Sequence, residues 1–530
     1  MIPDRLLDSS DAINVQWQRK IHSADLCAHS TTGGNYRDFI DVVSSFEILH
    51  TTYFEATVDC GGEDCFAKWY QLPSATRSVC GVVFVVAHNN LVPSPPLDPM
   101  KHKPCFLAAA TLLAFTHCSF NLATADDWPH WRGIQRDGLV NENSGWANDA
   151  WALERTWAAK VGIGSCAVVV ADGNLITVGW SDGKDTVMCL DAKSGDVKWQ
   201  QSYSCPQYGR QSEGDKGLYA GPSASPSFDK DTGFVYTLST DGDLNCWDVS
   251  EKGRRVWSLN FYEKYDVKQR PLVGTRRLRD YGYTTSPLVT KDNVIVEVGD
   301  DEGNLMAFDK RTGKRLWTSE SKDPAGHTGG LVPITVEGIS CVAVLTIHNL
   351  LVARLDKGHE GETLAEFPWE TDFANSIATP AVQGNSIIVT SEYNQYSICR
   401  VDVTRKGAEE VWRQPYASGV CTPVIKNGFV YWCWRGLYCL DFKTGRPIWR
   451  GGLYGDTATC IATKDDRLIV WSNQGNLTLV ESAKLSPKKY KELAKRPKMF
   501  NRDVWPHIVL ANRRLYCKDR DGNLRCLKLK

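Results

Sequence analysis

One unit returns along this chain and limits what it can fold into. Cys189-Leu190-Asp191-Ala192-Lys193-Ser194-Gly195-Asp196-Val197-Lys198-Trp199 recurs as Ala307-Phe308-Asp309-Lys310-Arg311-Thr312-Gly313-Lys314-Arg315-Leu316-Trp317. It recurs again as Cys439-Leu440-Asp441-Phe442-Lys443-Thr444-Gly445-Arg446-Pro447-Ile448-Trp449, and looser copies end at Trp257, Trp369 and Trp412. Such self-similarity marks a repeat architecture in which each unit buries its faces against its neighbours. Within a unit, an apolar run such as Phe429-Val430-Tyr431-Trp432 precedes a short turn and a second strand, Leu437-Tyr438-Cys439-Leu440. Asp441, a Lys-Thr-Gly turn and a third strand ending in Trp449 follow. β-branched and aromatic runs between Gly, Asp and Asn clusters read as hairpins. Gly195, Gly313 and Gly445 fall where a tight turn needs positive φ. The closing tryptophan is expected to wedge against the next unit, with one N–H to satisfy. Asp241-Gly242, Glu302-Gly303, Gln474-Gly475 and Asp521-Gly522 form a second recurring turn. The last, with Asp519 upstream, faintly resembles the start of a calcium loop; it lacks the distal Glu and flanking helices, so it reads as a hairpin turn.

Trp157, Trp199, Trp257, Trp317, Trp369, Trp412 and Trp449 follow one another at roughly 40 to 60 residues, the span of four short strands with variable loops. Two more units fit after Trp449, around Arg467 to Trp471 and around Arg514 to Cys517. The last has only three strands, while Leu153 to Trp157 is an outer strand without a blade of its own. Pairing the two ends closes a ring and removes exposed sheet edges. The expected fold class is all-β: an eight-bladed β-propeller of four-stranded antiparallel blades.

The 61 Lys and Arg nearly balance 62 Asp and Glu, so there is no basic surplus for nucleic acid. Lys484 to Lys498 is a local exception; it reads as a solvated helix or loop face, with an anionic-partner patch as the alternative. Met100 is followed by Lys101-His102-Lys103, an apolar run from Cys105 to Phe115 and the small-residue end Leu122-Ala123-Thr124-Ala125. These are the three parts of a secretory signal peptide, too short to span a membrane. The expected organisation is a mis-called upstream extension over 1–99, a signal peptide over 100–125 with cleavage after Ala125, and the propeller over 126–530. A small N-terminal domain with a membrane anchor is the alternative. His117 before Cys118 spoils a lipid-attachment box. The mature chain is expected to be a soluble monomer, periplasmic or secreted, with no membrane span.

Export permits disulfides. Of the 18 cysteines, however, Cys189, Cys246, Cys399, Cys439 and Cys526 fall at one repeat position that wants a small buried residue, so most of those after Ala125 are expected as unpaired core thiols. No Cys-x-x-Cys, His-Glu-x-x-His, Gly-x-Ser-x-Gly or Walker A sequence occurs, so no zinc, thioredoxin, hydrolase or nucleotide chemistry is signalled. Gly162-Ile163-Gly164-Ser165 reads as backbone packing at a strand start. Asn476-Leu477-Thr478 is a glycosylation pattern placed in a hairpin turn.

Function on such a ring lies in its loops and in the segments leading into each first strand around the axis. Those segments include Tyr219 to Ser223, Tyr283 to Pro287, His327 to Gly330, Asn375 to Pro380, Val420 to Pro423 and Asp456 to Cys460. Tyr219, Tyr283, His327, Asn375 and Asp456 are the larger polar groups and the candidates for a ligand site in the channel; the alternative is that they only bond neighbouring strand ends and channel water. Two long inserts, Tyr203 to Gly217 and Phe261 to Asp280, should project over one face. Arg270, Arg276, Arg277 and Arg279 in the second are candidates for an acidic partner, or form a solvated charged loop.

The unit Ala/Cys-x-Asp-x-x-Thr/Ser-Gly-x-x-x-Trp resembles the tryptophan-docking repeat of pyrroloquinoline-quinone-type (PQQ-like) eight-bladed propellers. Asp127-Trp128-Pro129-His130-Trp131-Arg132-Gly133 to Arg136-Asp137-Gly138 is similar to the mature start of exported bacterial members, and Leu485-Ser486-Pro487 to Ala494 with Leu515 to Asp519 is similar to their end. The resemblance covers roughly 126–530. It implies one of two activities. Quinoprotein dehydrogenases hold the quinone with calcium and carry an adjacent Cys-Cys pair, which this chain lacks; no convincing Glu/Asn/Asp calcium set and no Cys-x-x-Cys-His haem site can be assembled here. Relatives like the propeller component of outer-membrane protein assembly keep the repeat and lose the cofactor, although that component is usually a lipoprotein. Fold alone does not decide between them. The expectation is an exported, non-catalytic binding or scaffold protein of the cell envelope, without catalytic residues, metal or cofactor, meeting a protein or small molecule at the propeller face or channel. The alternative is a PQQ-dependent alcohol dehydrogenase holding pyrroloquinoline quinone and calcium. An axial pocket of quinone size with a metal ligand set would favour the enzyme; a narrow, filled channel would favour the scaffold.

Overall fold

The computed structural model describes residues 127–207, 220–265, 281–371 and 375–530. The expectations for 1–99 and 100–125 lie outside these residues. Within them, short apolar segments separated by Gly, Asp and Asn turns pair antiparallel in sequence order and build eight four-stranded blades. The innermost strands are Val169–Ala171, Ser227–Asp229, Leu288–Val289, Val332–Val336, Ala381–Gln383, Val424–Lys426, Ala458–Thr463 and Val509–Ala511, defining blades 1 to 8. Blade 8 takes its outermost strand from far upstream: Leu153–Lys160 runs antiparallel to Asn523–Leu529. This closes the ring as the sequence predicts. The core is continuous between blades, since one apolar cluster joins Leu175 and Leu190 of blade 1 to Leu515 and Leu524 of blade 8 and Trp471 of blade 7.

The repeated tryptophan docks one blade on the next. Six outer strands place an indole opposite the third strand immediately before a bulge: Trp157 opposite Cys526, Trp199 opposite Cys189, Trp257 opposite Cys246, Trp317 opposite Ala307, Trp412 opposite Arg400 and Trp449 opposite Cys439. In four of them the indole N–H reaches a carbonyl of the following blade: Trp157 to Ala192 at 3.3 Å, Trp257 to Lys310 at 3.2 Å, Trp412 to Phe442 at 3.0 Å and Trp449 to Ser486 at 3.1 Å. The turn glycine of that blade receives the ring. A Cβ on Gly195 would stand 2.6 Å from Trp157, on Gly313 2.7 Å from Trp257 and on Gly445 2.7 Å from Trp412. Glycine is thus needed there twice, for positive φ and for contact.

Three details differ from the sequence reading. At the bulge of blades 4 and 7 the docking position holds Ala365 and Ala494. Trp369 lies beyond the outer strand Thr363–Pro368 and is not the docking residue of blade 4. Cys399 pairs with Arg413, one place out of register, so Arg400 takes the position that Cys189, Cys246, Cys439 and Cys526 share. Lys484 to Lys498 is neither helix nor simple loop: Glu492–Arg496 is the outer strand of blade 7, and Lys484 and Lys491 each pair at 2.8 Å with Asp466 and Glu481. All 12 cysteines of the described residues are buried free thiols. Gly162 and Gly164 pack against the backbone of Gly179 and Pro222, as expected.

Residues 128–140 cross the axis and touch all eight blades, the eighth through His507 against Trp128 and Trp131. Trp128 exchanges backbone hydrogen bonds with Val170 at 2.7 and 2.9 Å, and Pro129 O accepts from Phe228 N at 2.9 Å. Trp131 Nε1 donates to Thr379 Oγ1 at 3.2 Å in blade 5. Arg132 donates to Pro423 O at 2.7 Å in blade 6. Arg136 donates to the carbonyls of Ser286, Pro287 and Leu331 and to Ser227 Oγ, tying blades 2, 3 and 4. Leu139 and Val140 add a parallel strand to the inner edge of blade 7. The segment is therefore a plug. Its fully buried guanidiniums satisfy inner-strand carbonyls that lack a neighbour at the axis, and burial pushes that of Arg136 down to about 9.

Candidate functional site

Above the plug the channel opens into a cavity of about 300 Å³, at the small end of the range for small-molecule sites. Every blade contributes to it. In six blades the contributing residue stands four places before the innermost strand: Ser165, Ser223, Thr284, Ile377, Val420 and Trp505. Blade 4 supplies His327 and Gly329, and blade 7 supplies Thr457, Ala458 and Thr459. Trp131 of the plug joins them; Gly329 and Gly330 leave room for its indole, which a Cβ would meet at 2.7 and 2.5 Å. Tyr281, Tyr393 and His507 complete an aromatic wall.

Two imidazoles set the polarity. His327 adopts φ 63° and its Nε2 accepts from Tyr281 N at 3.3 Å, with the two rings edge to face at 5.2 Å. His507 packs edge-on against Trp131 at 5.2 Å, and its Nδ1 lies 2.8 Å from Ile508 O. That carbonyl can only accept, so Nδ1 carries the proton and Nε2 is left as an acceptor. Burial, helped by the charge of Arg132, pushes His507 down to about 4. It is therefore neutral near pH 7. The described lining holds no carboxylate and no Lys or Arg.

The five sequence candidates divide. His327 and Asn375 line the cavity. Tyr283 does not: its ring is buried between blades, 5.1 Å from Phe261 and 5.7 Å from Tyr262. Asp456 does not reach the cavity either; it is exposed and pairs with Arg435 at 2.7 Å. In each case the next residue, Thr284 or Thr457, faces inward instead. Tyr219 and the arginines Arg270, Arg276, Arg277 and Arg279 lie outside the described residues. Trp131, Tyr393, Trp505 and His507 were not among the candidates. The signal for the last two was present, because Trp505-Pro506-His507 leads into the eighth inner strand just as the other segments lead into theirs.

Loops that carry the lining residues Tyr393 and Thr457 continue beyond the cavity. Arg435 bridges Asp456 to Glu392, at 3.5 Å, and so ties three loops of blades 5, 6 and 7 together. These loops expose Tyr396 (67 %) and Leu453 (83 %), a degree of apolar exposure that marks contact surfaces when grouped.

Behind the wall, Cys421, Cys433 and Cys460 bring their Sγ atoms within 4.8 Å of one another. Burial opposes ionisation of all three, yet the Cys433 N–H, 3.3 Å from Cys421 Sγ, and the two neighbouring thiols hold Cys421 well below its ordinary range, while Cys433 and Cys460 are pushed well above theirs. Among the described residues this is the one group of His, Cys, Asp or Glu placed to hold a metal.

These features define an eight-bladed, tryptophan-docked propeller with an axial channel plugged at one end. A family model described as "Outer membrane protein assembly factor BamB" matches residues 139–258 and 209–451, more than half of the chain, and the chain belongs to that family. No curated protein matches the sequence. Among solved structures, the quinohemoprotein alcohol dehydrogenase of Comamonas testosteroni is similar with TM-score 0.53 at 14% identity, over 76% of this chain and 80% of that one. A europium-containing methanol dehydrogenase gives 0.52 at 12% identity, over 76% and 89%. BamB from Moraxella catarrhalis gives 0.49 at 12%, over 71% and 100%. At these identities the dehydrogenases show the shared fold alone.

The quinone reading can be tested on the donor set. Pyrroloquinoline quinone carries several acid groups, and calcium takes six to eight oxygen ligands with carboxylates prominent among them. The described lining offers hydroxyls, imidazole, an amide and aromatic faces. It supplies neither cations for the acids nor carboxylates for calcium, so these residues do not fit the pair.

Proposed function

We propose that this protein is an exported, non-catalytic binding protein of the cell envelope that engages its partner on the face where the axial cavity opens. The observation that carries this is the cavity lining: aromatic and hydroxyl groups from every blade, with no charged side chain among the described residues. Such a wall recognises flat or apolar groups and offers no general base of carboxylate type. The exposed Tyr396 and Leu453 beside it extend the same surface outward and suit a protein partner that inserts a side chain into the cavity. Export rests on the leader pattern from Met100 to Ala125, and an N-terminus found at Asp126 in the mature protein would support it.

The deciding experiment titrates the purified protein with pyrroloquinoline quinone and calcium while absorbance and melting temperature are followed. No saturable shift at high excess is expected. Saturable binding with a raised melting temperature would overturn the non-catalytic reading, since a ligand of the native state stabilises it by mass action. A photo-crosslinking residue at position 396 should give a defined adduct in envelope fractions; one at position 230, in the turn below blade 2, should not. Equal labelling at both positions would remove the assignment of the face.

A further inference from the structure

We propose that Cys421, Cys433 and Cys460 form a binding site for a thiophilic divalent cation of the zinc class, with Arg132 as its counter-charge. The three residues come from separate strands. Cys421 stands three places before the inner strand of blade 6, Cys433 ends the second strand Phe429–Cys433, and Cys460 lies in the inner strand of blade 7. All three are fully buried, and their Sγ atoms lie within 4.8 Å of one another. A tetrahedral zinc with Zn–S of about 2.3 Å needs sulfurs about 3.8 Å apart. The trio is close to that spacing before any ion draws it together.

Arg132 is the independent observation. It is fully buried, and only its Nη2 has partners, Asp137 O at 2.9 Å and Pro423 O at 2.7 Å. Nε and Nη1 are buried with no hydrogen-bond partner. The guanidinium interacts electrostatically first with the Asp137 carboxylate and then with Cys460 and Cys421. A buried cation with two unanswered donors beside three thiols is costly if the thiols are neutral. It is accounted for if they are thiolates. Beside Arg132 and Asp137, a divalent ion offsets one more of the thiolate charges than a monovalent ion does. Soft thiolate ligands select zinc-like ions over hard ones. The fourth tetrahedral position then belongs to water or a small ligand. Val420, Thr422 and Thr459, the chain neighbours of Cys421 and Cys460, line the axial cavity.

The four cysteines at the docking position contrast with this. Cys189, Cys246, Cys439 and Cys526 each sit alone opposite a tryptophan, where a small apolar group suffices.

The full chain, reduced and freed of metal, is titrated with cobalt(II). One equivalent per chain should bind and give a thiolate-to-metal charge-transfer band with the visible bands of tetrahedral cobalt, displaced by zinc. Cys421→Ser, Cys433→Ser and Cys460→Ser should each lose the band, while Cys189→Ser and Cys526→Ser keep it. Arg132→Gln should weaken binding about 10- to 100-fold, as loss of an outer-shell partner does. Because a core variant can fail to fold, the unsubstituted protein is also alkylated during partial unfolding, with and without zinc, and its peptides mapped. Zinc should protect Cys421, Cys433 and Cys460 together and no other thiol. Absence of a charge-transfer band in the folded, reduced chain, retention of the band in a trio variant, or alkylation of the trio indifferent to zinc would each overturn the proposal. None of these readouts depends on the partner proposed for the outer face.

Discussion

Replacing Gly445 with alanine tests whether the glycine of the repeat is there for its backbone or for the tryptophan it receives. Gly428 is the control. Both residues lie in blade 6 turns with positive φ, 70° and 79°. Alanine in a left-handed conformation costs about 1–2 kcal/mol at either place, and the effect on unfolded-chain entropy is the same for both. The surroundings differ. A Cβ on Gly428 meets nothing within 4 Å, whereas on Gly445 it would lie 2.7 Å from Cδ2 and 2.9 Å from Cε3 and Cγ of Trp412. That indole is buried and holds Phe442 O at 3.0 Å, so it cannot retreat without losing contact and hydrogen bond. Overpacking of this kind adds about 1–3 kcal/mol. The expected losses are therefore about 1–2 kcal/mol for Gly428→Ala and about 2–5 kcal/mol for Gly445→Ala. They are read from urea midpoints by circular dichroism at constant m-value. In a Trp412→Ala background the steric part should vanish and Gly445→Ala should cost no more than the control, a coupling of about 1–3 kcal/mol. Equal losses for the two glycines, or a Gly445→Ala loss unchanged by removal of Trp412, would refute the docking argument.

Stability should peak near pH 6.5. Burial pushes Asp185 up to about 7, so the folded state holds a proton that the unfolded state releases, and stability falls as pH rises from about 4 to 7, by roughly 4 kcal/mol at full effect. Burial pushes His130 down to about 3 and His507 to about 4; these act oppositely, with stability lost as pH falls below 6.5. Asp185→Asn should flatten the decline between pH 6.5 and 7 and steepen the rise below it in melting curves; an unchanged profile would mean that Asp185 is ionised in the fold. Lys310 and Asp229, both buried, pair at 2.9 Å, so Lys310→Met should cost about 3–5 kcal/mol by stranding the carboxylate, and adding Asp229→Leu should recover much of it in the same urea assay. Thr379→Val removes the acceptor of Trp131 Nε1 and should lower stability by about 1–3 kcal/mol; a neutral result would mean that the indole is not held there.

The ring was legible in the sequence because its determinants are local and repeated: a turn glycine, an indole, and an outer strand upstream that completes the last blade. What was not legible follows from register. Trp369 has the right spacing and residue type, yet the bulge of blade 4 puts Ala365 at the docking place. Spacing of tens of residues cannot resolve that four-residue offset, nor a one-residue step, which moves a side chain to the other face of a strand. The same step separates Tyr283 from Thr284 and Asp456 from Thr457. All the candidates were picked as the larger polar groups of the segments leading into the inner strands; His327 and Asn375 face the cavity, and Tyr283 and Asp456 stand one place off it. Trp131 was invisible as a site residue because it belongs to no repeat. The sulfur trio was invisible because a local Cys-x-x-Cys pattern is the only zinc signal a sequence offers cheaply, and here the ligands meet only after two blades have docked.

The division of labour in this ring indicates where its specificity resides. Residues that repeat are committed to blade docking: the indoles, the turn glycines and the small residue opposite each indole. Varying one of them changes an interblade contact and nothing at the axis. Residues that face the cavity share one position in six blades but differ in kind, Ser165, Ser223, Thr284, Ile377, Val420 and Trp505, with His327 and Thr457 from blades 4 and 7. Six kinds of side chain among these eight residues make an asymmetric lining on a near-symmetric frame, which a structural spacer does not require. The plug adds to this asymmetry, since it presents Trp131 to one side of the channel only. The lining can therefore change without disturbing the frame, and one frame can carry different occupants.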